Sequence, residues 1–130
     1  MTLREPIFLT LDQVLILHDR SLREFGGSAG IRDLGQIESA VVAARNNFLY
    51  GGGDVFDIAA SYAFHIAQSQ AFLDGNKRTG VAAALVFLGM NAEYRTPDPL
   101  EFHACMEAIA IRRMSKPELA ACFRALATAL

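Results

Sequence analysis

The stretch Gln70-Ala71-Phe72-Leu73-Asp74-Gly75-Asn76-Lys77-Arg78-Thr79-Gly80 separates two apolar helical segments and is the most informative part of the chain. Gly75-Asn76 suits a tight turn that leaves backbone N–H groups free at the start of the next helix. Such a helix end attracts anions, because unpaired donors point outward and the peptide dipoles add roughly half a positive charge. Lys77 and Arg78 fall in that first turn, where each cation is disfavoured by about 0.3–1 kcal/mol. Two adjacent cations there suit a highly charged anion such as a triphosphate. Arginine clamps phosphate oxygens in a bidentate way, and lysine adds a point charge. Asp74, just before the turn, is a natural hard ligand for Mg²⁺ bridging phosphate oxygens. Phe72 reads as an anchor that buries the loop root. The alternative for the whole segment is a surface turn with solvated charges.

Working outward, the chain reads as a string of helices. Thr10 with Gln13 forms a capping box before Leu11, Val14, Leu15, His18, Leu22 and Phe25, which share one face; Gly26-Gly27 ends the helix. A second helix starts at Asp33, with Gln36 in the box position and Leu34, Ile37, Val41 and Ala44 as its stripe. A third opens at Asp54 and carries Val55, Ile58, Ala59, Tyr62 and Ile66. A fourth runs from about Asn76 through Val81, Ala84, Leu85 and Leu88 to Gly89. Asp98-Pro99-Leu100-Glu101 marks a fifth start. Ser115 with Glu118 caps a sixth helix holding Leu119, Cys122, Phe123, Leu126 and Leu130.

Ile7-Phe8-Leu9 is a candidate short strand. The stretch from Asn46 to Gly53, with Phe48 and Tyr50 beside three glycines, reads as a loop or a short β-hairpin flap. It either folds its aromatics onto the core or docks a partner. The expected fold is therefore all-α, a single domain over residues 1–130 of about six helices.

The 130 residues hold one domain's worth of core, with 52% hydrophobic and 20% charged residues, which argues against disorder. Twelve basic against 14 acidic residues give a net charge of -2, which excludes a globally basic nucleic-acid binder. A local basic patch stays open. The amino terminus lacks the apolar run of a signal peptide. The apolar run from Val81 to Met90 falls short of the roughly 18–20 residues that span a bilayer. Cys105 and Cys122 lie far apart in apolar helical patterns, with no CxxC, and read as reduced core thiols. The expected location is cytoplasmic, with neither membrane nor direct nucleic-acid binding.

Phe72-Leu73-Asp74-Gly75-Asn76-Lys77-Arg78-Thr79-Gly80 resembles the core motif of the Fic superfamily, and most of all its death-on-curing (Doc) branch. The likeness extends to His18-Asp19-Arg20, to Phe25 through Leu34 and to Glu38-Ser39-Ala40, and the helix order fits. Lys77 stands where adenylylating Fic proteins have glycine, and Val81 where they have a second arginine. Both features are similar to Doc. The resemblance implies phosphate transfer from ATP to a threonine of elongation factor Tu rather than AMP transfer. It also implies a toxin neutralised by a small antitoxin. In the family the acidic residue holds Mg²⁺, the Gly-Asn turn binds phosphate and the basic pair grips the nucleotide. Those roles pass to Asp74, to Gly75 and Asn76, and to Lys77 and Arg78.

One departure stands out. The family motif opens with a histidine two residues before the phenylalanine, and this chain has Gln70 there. The resemblance makes that histidine the base that takes the hydroxyl proton. A glutamine amide can hydrogen-bond a hydroxyl but cannot hold its proton at neutral pH. General-base help is worth about 10²–10⁴ in rate. Positioning by Gln70 would leave some activity, since phosphoryl transfer leans on orientation and charge stabilisation. Three explanations follow: a weakened enzyme, a degenerate domain that still binds nucleotide or antitoxin, or an inactivated variant.

The three histidines offer no obvious substitute. His65 lies about 140° around the helix from Gln70, a packing position. His18 on the apolar face reads as a core histidine with a satisfied partner, or as one reaching the site from a neighbouring helix. His103 reads as structural or exposed. Arg32-Asp33 reads as a loop arginine and an N-cap, and Arg112, Arg113, Lys116 and Arg124 as a solvated face or an antitoxin contact. Some Fic proteins carry an inhibitory helix with the motif Ser/Thr-x-x-x-Glu-Gly/Asn. No glutamate here is followed by glycine or asparagine. Restraint is then expected from a separate antitoxin whose disordered tail folds onto this domain.

Overall fold

The computed structural model describes residues 5–91, 100, 104, 107 and 115–128. Five helices lie in this part: α1 (Leu11–Phe25), α2 (Leu34–Gly51), α3 (Val55–Ser69), α4 (Asn76–Asn91) and α5 (Lys116–Thr128). The all-α expectation holds. The helix expected from Asp98 lies mostly outside the described residues; Leu100, Ala104 and Glu107 within it are helical.

Local capping sets the helix starts. Thr10 Oγ1 accepts from the Gln13 N–H at 3.2 Å, and the Gln13 side chain accepts from the Thr10 N–H at 2.8 Å. Asp54 Oδ1 accepts from the Phe56 and Asp57 N–H groups at 3.0 Å each, while Asp57 accepts from the Asp54 N–H at 2.9 Å. Asp33 accepts from the Gln36 N–H, and Ser115 and Glu118 bond reciprocally. Each cap satisfies N–H groups that the helix leaves without carbonyl partners.

The central helix is α3, which packs on α2, α4 and α5, while α1 lies against α4 and α2. Phe56, Ile58, Ala59, Ala60, Tyr62, Ala63 and Ile66 are all buried on it, so it is apolar almost all round. Phe72, Phe87, Phe123 and Leu119 fill the space around it. The Tyr62 hydroxyl accepts from the buried Leu9 N–H at 2.9 Å, and burial pushes that phenol up to about 12.

Three expectations fail. Residues 46–50 form no loop or hairpin: α2 runs on to Gly51 and is capped by Gly52 in the left-handed conformation. Phe48 packs edge-on against Phe8 at 5.9 Å, which favours keeping the chain helical until the glycines. Tyr50 nevertheless stands 85% exposed. Ile7-Phe8-Leu9 forms no strand; the Asn91 amide takes both Ile7 backbone groups, so no second strand is needed there. The one antiparallel bridge among the described residues joins Ile31 to Phe72. Cys122 is disulfide-bonded rather than a reduced thiol.

Among the described residues no helix is long and apolar enough to cross a membrane.

Candidate functional site

The segment between α3 and α4 is built by backbone geometry. Gln70 ends α3 in the left-handed region at φ 53°, which reverses the chain. Phe72 is fully buried, as its anchor role requires. The Leu73 N–H then donates to the Gly30 carbonyl at 3.1 Å, and the Arg32 and Asp33 N–H groups donate to the Ala71 carbonyl. The segment before α2 is thereby laid alongside the turn. Gly75 at φ +80° completes the turn, a conformation other residues adopt only with strain.

Gln70, Asp74, Gly75, Asn76, Lys77 and Arg78, all singled out in the sequence, line one open cleft of about 470 Å³, together with Leu73 and Glu107. Their side chains are engaged in different ways. Asp74 accepts from the Gly75 N–H on Oδ1 at 2.8 Å and from the Ser28 N–H on Oδ2 at 3.2 Å. Asn76 turns back onto Phe72, accepting from its N–H and donating to its carbonyl, each at 3.0 Å. Its side chain therefore holds the loop, which leaves its backbone N–H and one amide N–H for an anion.

The cations have protein partners. Lys77 Nζ lies 2.9 Å from Glu107 Oε1. Arg78 donates to the Gly26 carbonyl at 3.2 Å and lies over the Phe25 ring at 5.4 Å. The terminus of α1 and Glu107 thus supply counter-charge and dipoles at the start of α4. Charge placement alone does not demand an anion here. Both members of the Lys77–Glu107 pair are half-exposed, and such pairs contribute about 0–1 kcal/mol, so a phosphate can displace the carboxylate.

The Asp74 carboxylate is in no ion pair among the described residues, and both its oxygens keep a further lone pair. That suits a hard cation. No group of three or more His, Cys, Asp or Glu able to hold a metal occurs among the described residues. Mg²⁺ commonly takes one or two carboxylates and completes its shell with phosphate and water, so Asp74 fits it only alongside a bound phosphate.

Sequence reasoning missed Glu107, which nothing in its local sequence relates to Lys77. It also missed that Arg78 borders a second, apolar recess of about 450 Å³ with Phe25, Val81, Leu85 and Leu100. Phe25 is 62% exposed there rather than on the core face of α1.

His18 is buried against this turn, with a satisfied partner as expected: Nε2 lies 2.8 Å from the Asp74 carbonyl oxygen. His65 packs at the far side of α3, its Nε2 3.0 Å from Lys116 Nζ. Burial, then the Lys116 charge, hold its pKa below the usual histidine value. Arg124 is no solvated residue either, for its guanidinium forks onto Asp54 at 2.8–3.1 Å. Burial pushes the Asp54 carboxyl up. The Asp57 N–H and Arg124 outweigh it and hold the pKa low.

A profile of the Fic/DOC family matches residues 8–88, a span that runs from before α1 through most of α4 and contains the whole cleft turn. The chain belongs to the Fic/DOC family. Among curated proteins it is similar to "Protein kinase doc" of Escherichia phage P1, with 32% identity over 81 residues, covering 62% of this chain and 64% of that protein. It is also similar to "Toxin Doc" of Mycolicibacterium smegmatis, with 41% identity over 71 residues, 52% of this chain and 53% of the relative. Each match spans less than two thirds of the relative. The Fic/DOC profile ends at Leu88, so Glu107 and α5 lie beyond the matched part.

Proposed function

We propose that this Fic/DOC domain is a Doc-like toxin of a toxin–antitoxin module that transfers phosphate from ATP to a hydroxyl of a translation protein. The observation that carries the proposal is the convergence of Gln70, Asp74, Gly75, Asn76, Lys77 and Arg78 on one open cleft. The names of the two Doc relatives support the toxin and kinase parts. Elongation factor Tu is the target that the family resemblance favours, and a small antitoxin the partner. A cytoplasmic setting goes with both.

In this mechanism the target hydroxyl oxygen attacks the terminal phosphorus, the bond to the bridging oxygen breaks to release ADP, and the hydroxyl proton passes to water in the open cleft. Backbone N–H groups at the start of α4 orient the phosphates, as helix termini do. Lys77 exchanges Glu107 for phosphate oxygens, and Arg78 adds charge from the α1 side. Asp74 would hold Mg²⁺, whose chemistry would be to neutralise phosphate charge. Gln70, exposed at the end of α3, hydrogen-bonds the incoming hydroxyl without taking its proton. Turnover is therefore slow.

That same glutamine favours a second reading, a degenerate domain that binds nucleotide or antitoxin without turnover. Gln70→His separates the two. Histidine adopts the left-handed region more readily than most residues, so the backbone tolerates it. Phosphotransfer and growth arrest should rise by about 10²–10⁴. A histidine variant that binds ATP yet stays inert would sink the enzyme reading. Strong growth arrest by the chain as it stands, abolished by Asp74→Ala, would sink the degenerate one.

A further inference from the structure

His18 is a titratable side chain, 6% exposed, that the mechanism above leaves without a task. Its ring stacks on Phe72 with centroids 3.6 Å apart and planes 9° from parallel. Its Nε2 is 2.8 Å from the Asp74 carbonyl oxygen. A carbonyl only accepts, so Nε2 carries the hydrogen and donates.

That bond fixes a peptide plane. In a trans peptide the C=O and the following N–H point in opposite directions. With the Asp74 carbonyl gripped by His18, the Gly75 N–H points the other way and donates to Asp74 Oδ1 at 2.8 Å. Glycine permits the opposite orientation of this plane as readily as the observed one. A flipped plane would set the carbonyl oxygen against the Asp74 carboxylate and remove the N–H that offsets part of that carboxylate's charge beside the cleft. Both changes disfavour an anion.

We propose that His18 is the positioning residue that holds the Asp74–Gly75 peptide with its N–H on the Asp74 carboxylate, and so keeps the cleft receptive to phosphate. The functional half rests on the cleft being the nucleotide site. A packing role alone would be served by any flat ring on Phe72. The added requirement is a donor at the Nε2 position.

Two variants separate these demands. His18→Phe keeps a stacking ring and loses the donor; His18→Gln keeps a donor near the same place and loses the ring. Mg²⁺–ATP affinity is measured by calorimetry on folded protein, and the Gly75 amide is followed by ¹⁵N NMR. His18→Phe should move the Gly75 resonance and weaken binding by about 10–100-fold, the usual effect of losing an orienting partner. His18→Gln should restore most of both despite a lower melting temperature. A folded His18→Phe protein that binds as wild type overturns the proposal. So does a ¹⁵N signature of the Nδ1–H tautomer in wild type, a measurement that needs no variant to fold. If wild type binds no Mg²⁺–ATP, the nucleotide reading and the functional half fall together. A Gly75 shift in His18→Phe that His18→Gln reverses would then still support the peptide lock.

Discussion

Asn76 and Phe72 are joined by two hydrogen bonds of 3.0 Å, the Asn76 amide accepting from the Phe72 N–H and donating to its carbonyl. The first residue of α4 thereby holds the buried root of the loop that precedes it. Asn76→Ala leaves both partly buried backbone groups of Phe72 without these partners, a loss of about 1–3 kcal/mol each if water does not replace it. Its urea midpoint should fall clearly, and amides from Ala71 to Gly75 should exchange faster with solvent. Unchanged exchange would show that the clamp contributes little.

Gly80 lies where α4 packs on α3. A Cβ placed on it would sit 2.8 Å from the Ala63 carbonyl oxygen. Gly80→Ala gains about 0.8–1.0 kcal/mol in helix propensity. Overpacking against backbone, which cannot swing aside, costs about 1–3 kcal/mol. The second effect should win, and the variant should unfold at lower urea despite its better helix former.

His65 makes stability depend on pH. Its folded pKa lies below the unfolded value of 6.5, because burial and Lys116 oppose a second charge. The unfolded chain then binds more protons through that window, so stability rises with pH and is lost on acidification below about 6.5. Urea titrations from pH 8 to 5 should show this slope, and His65→Gln should flatten it. Asp54 adds a separate acid limb. Its folded pKa is lowered from 3.8, so its contribution is present above that value and lost as pH falls through the folded pKa.

The helix starts were legible because each cap is a local bond. Thr10–Gln13, Asp33–Gln36 and Ser115–Glu118 are three residues apart, within reach whatever the rest of the chain does. The cleft turn was legible for a related reason: Asp74 to Arg78 are contiguous, so any fold that exposes one end of α4 presents them together. The end of α2 was misjudged because local glycine content suggested a break, while Phe48 answers to Phe8, forty residues earlier.

The sequence by itself determined the helical character, the helix starts and the turn that opens α4, because hydrophobic period, capping and turn chemistry act over a few residues. Only the tertiary structure decided which groups meet the turn. Glu107 reaches Lys77, Gly26 receives Arg78, Ser28 bonds Asp74 and His18 grips its carbonyl, across separations of 30 to 56 residues. Those contacts depend on how α1 and the chain beyond α4 come to rest beside the cleft. That placement is set by burial of the apolar helix faces, which is non-directional and leaves no mark in the local spacing of residues.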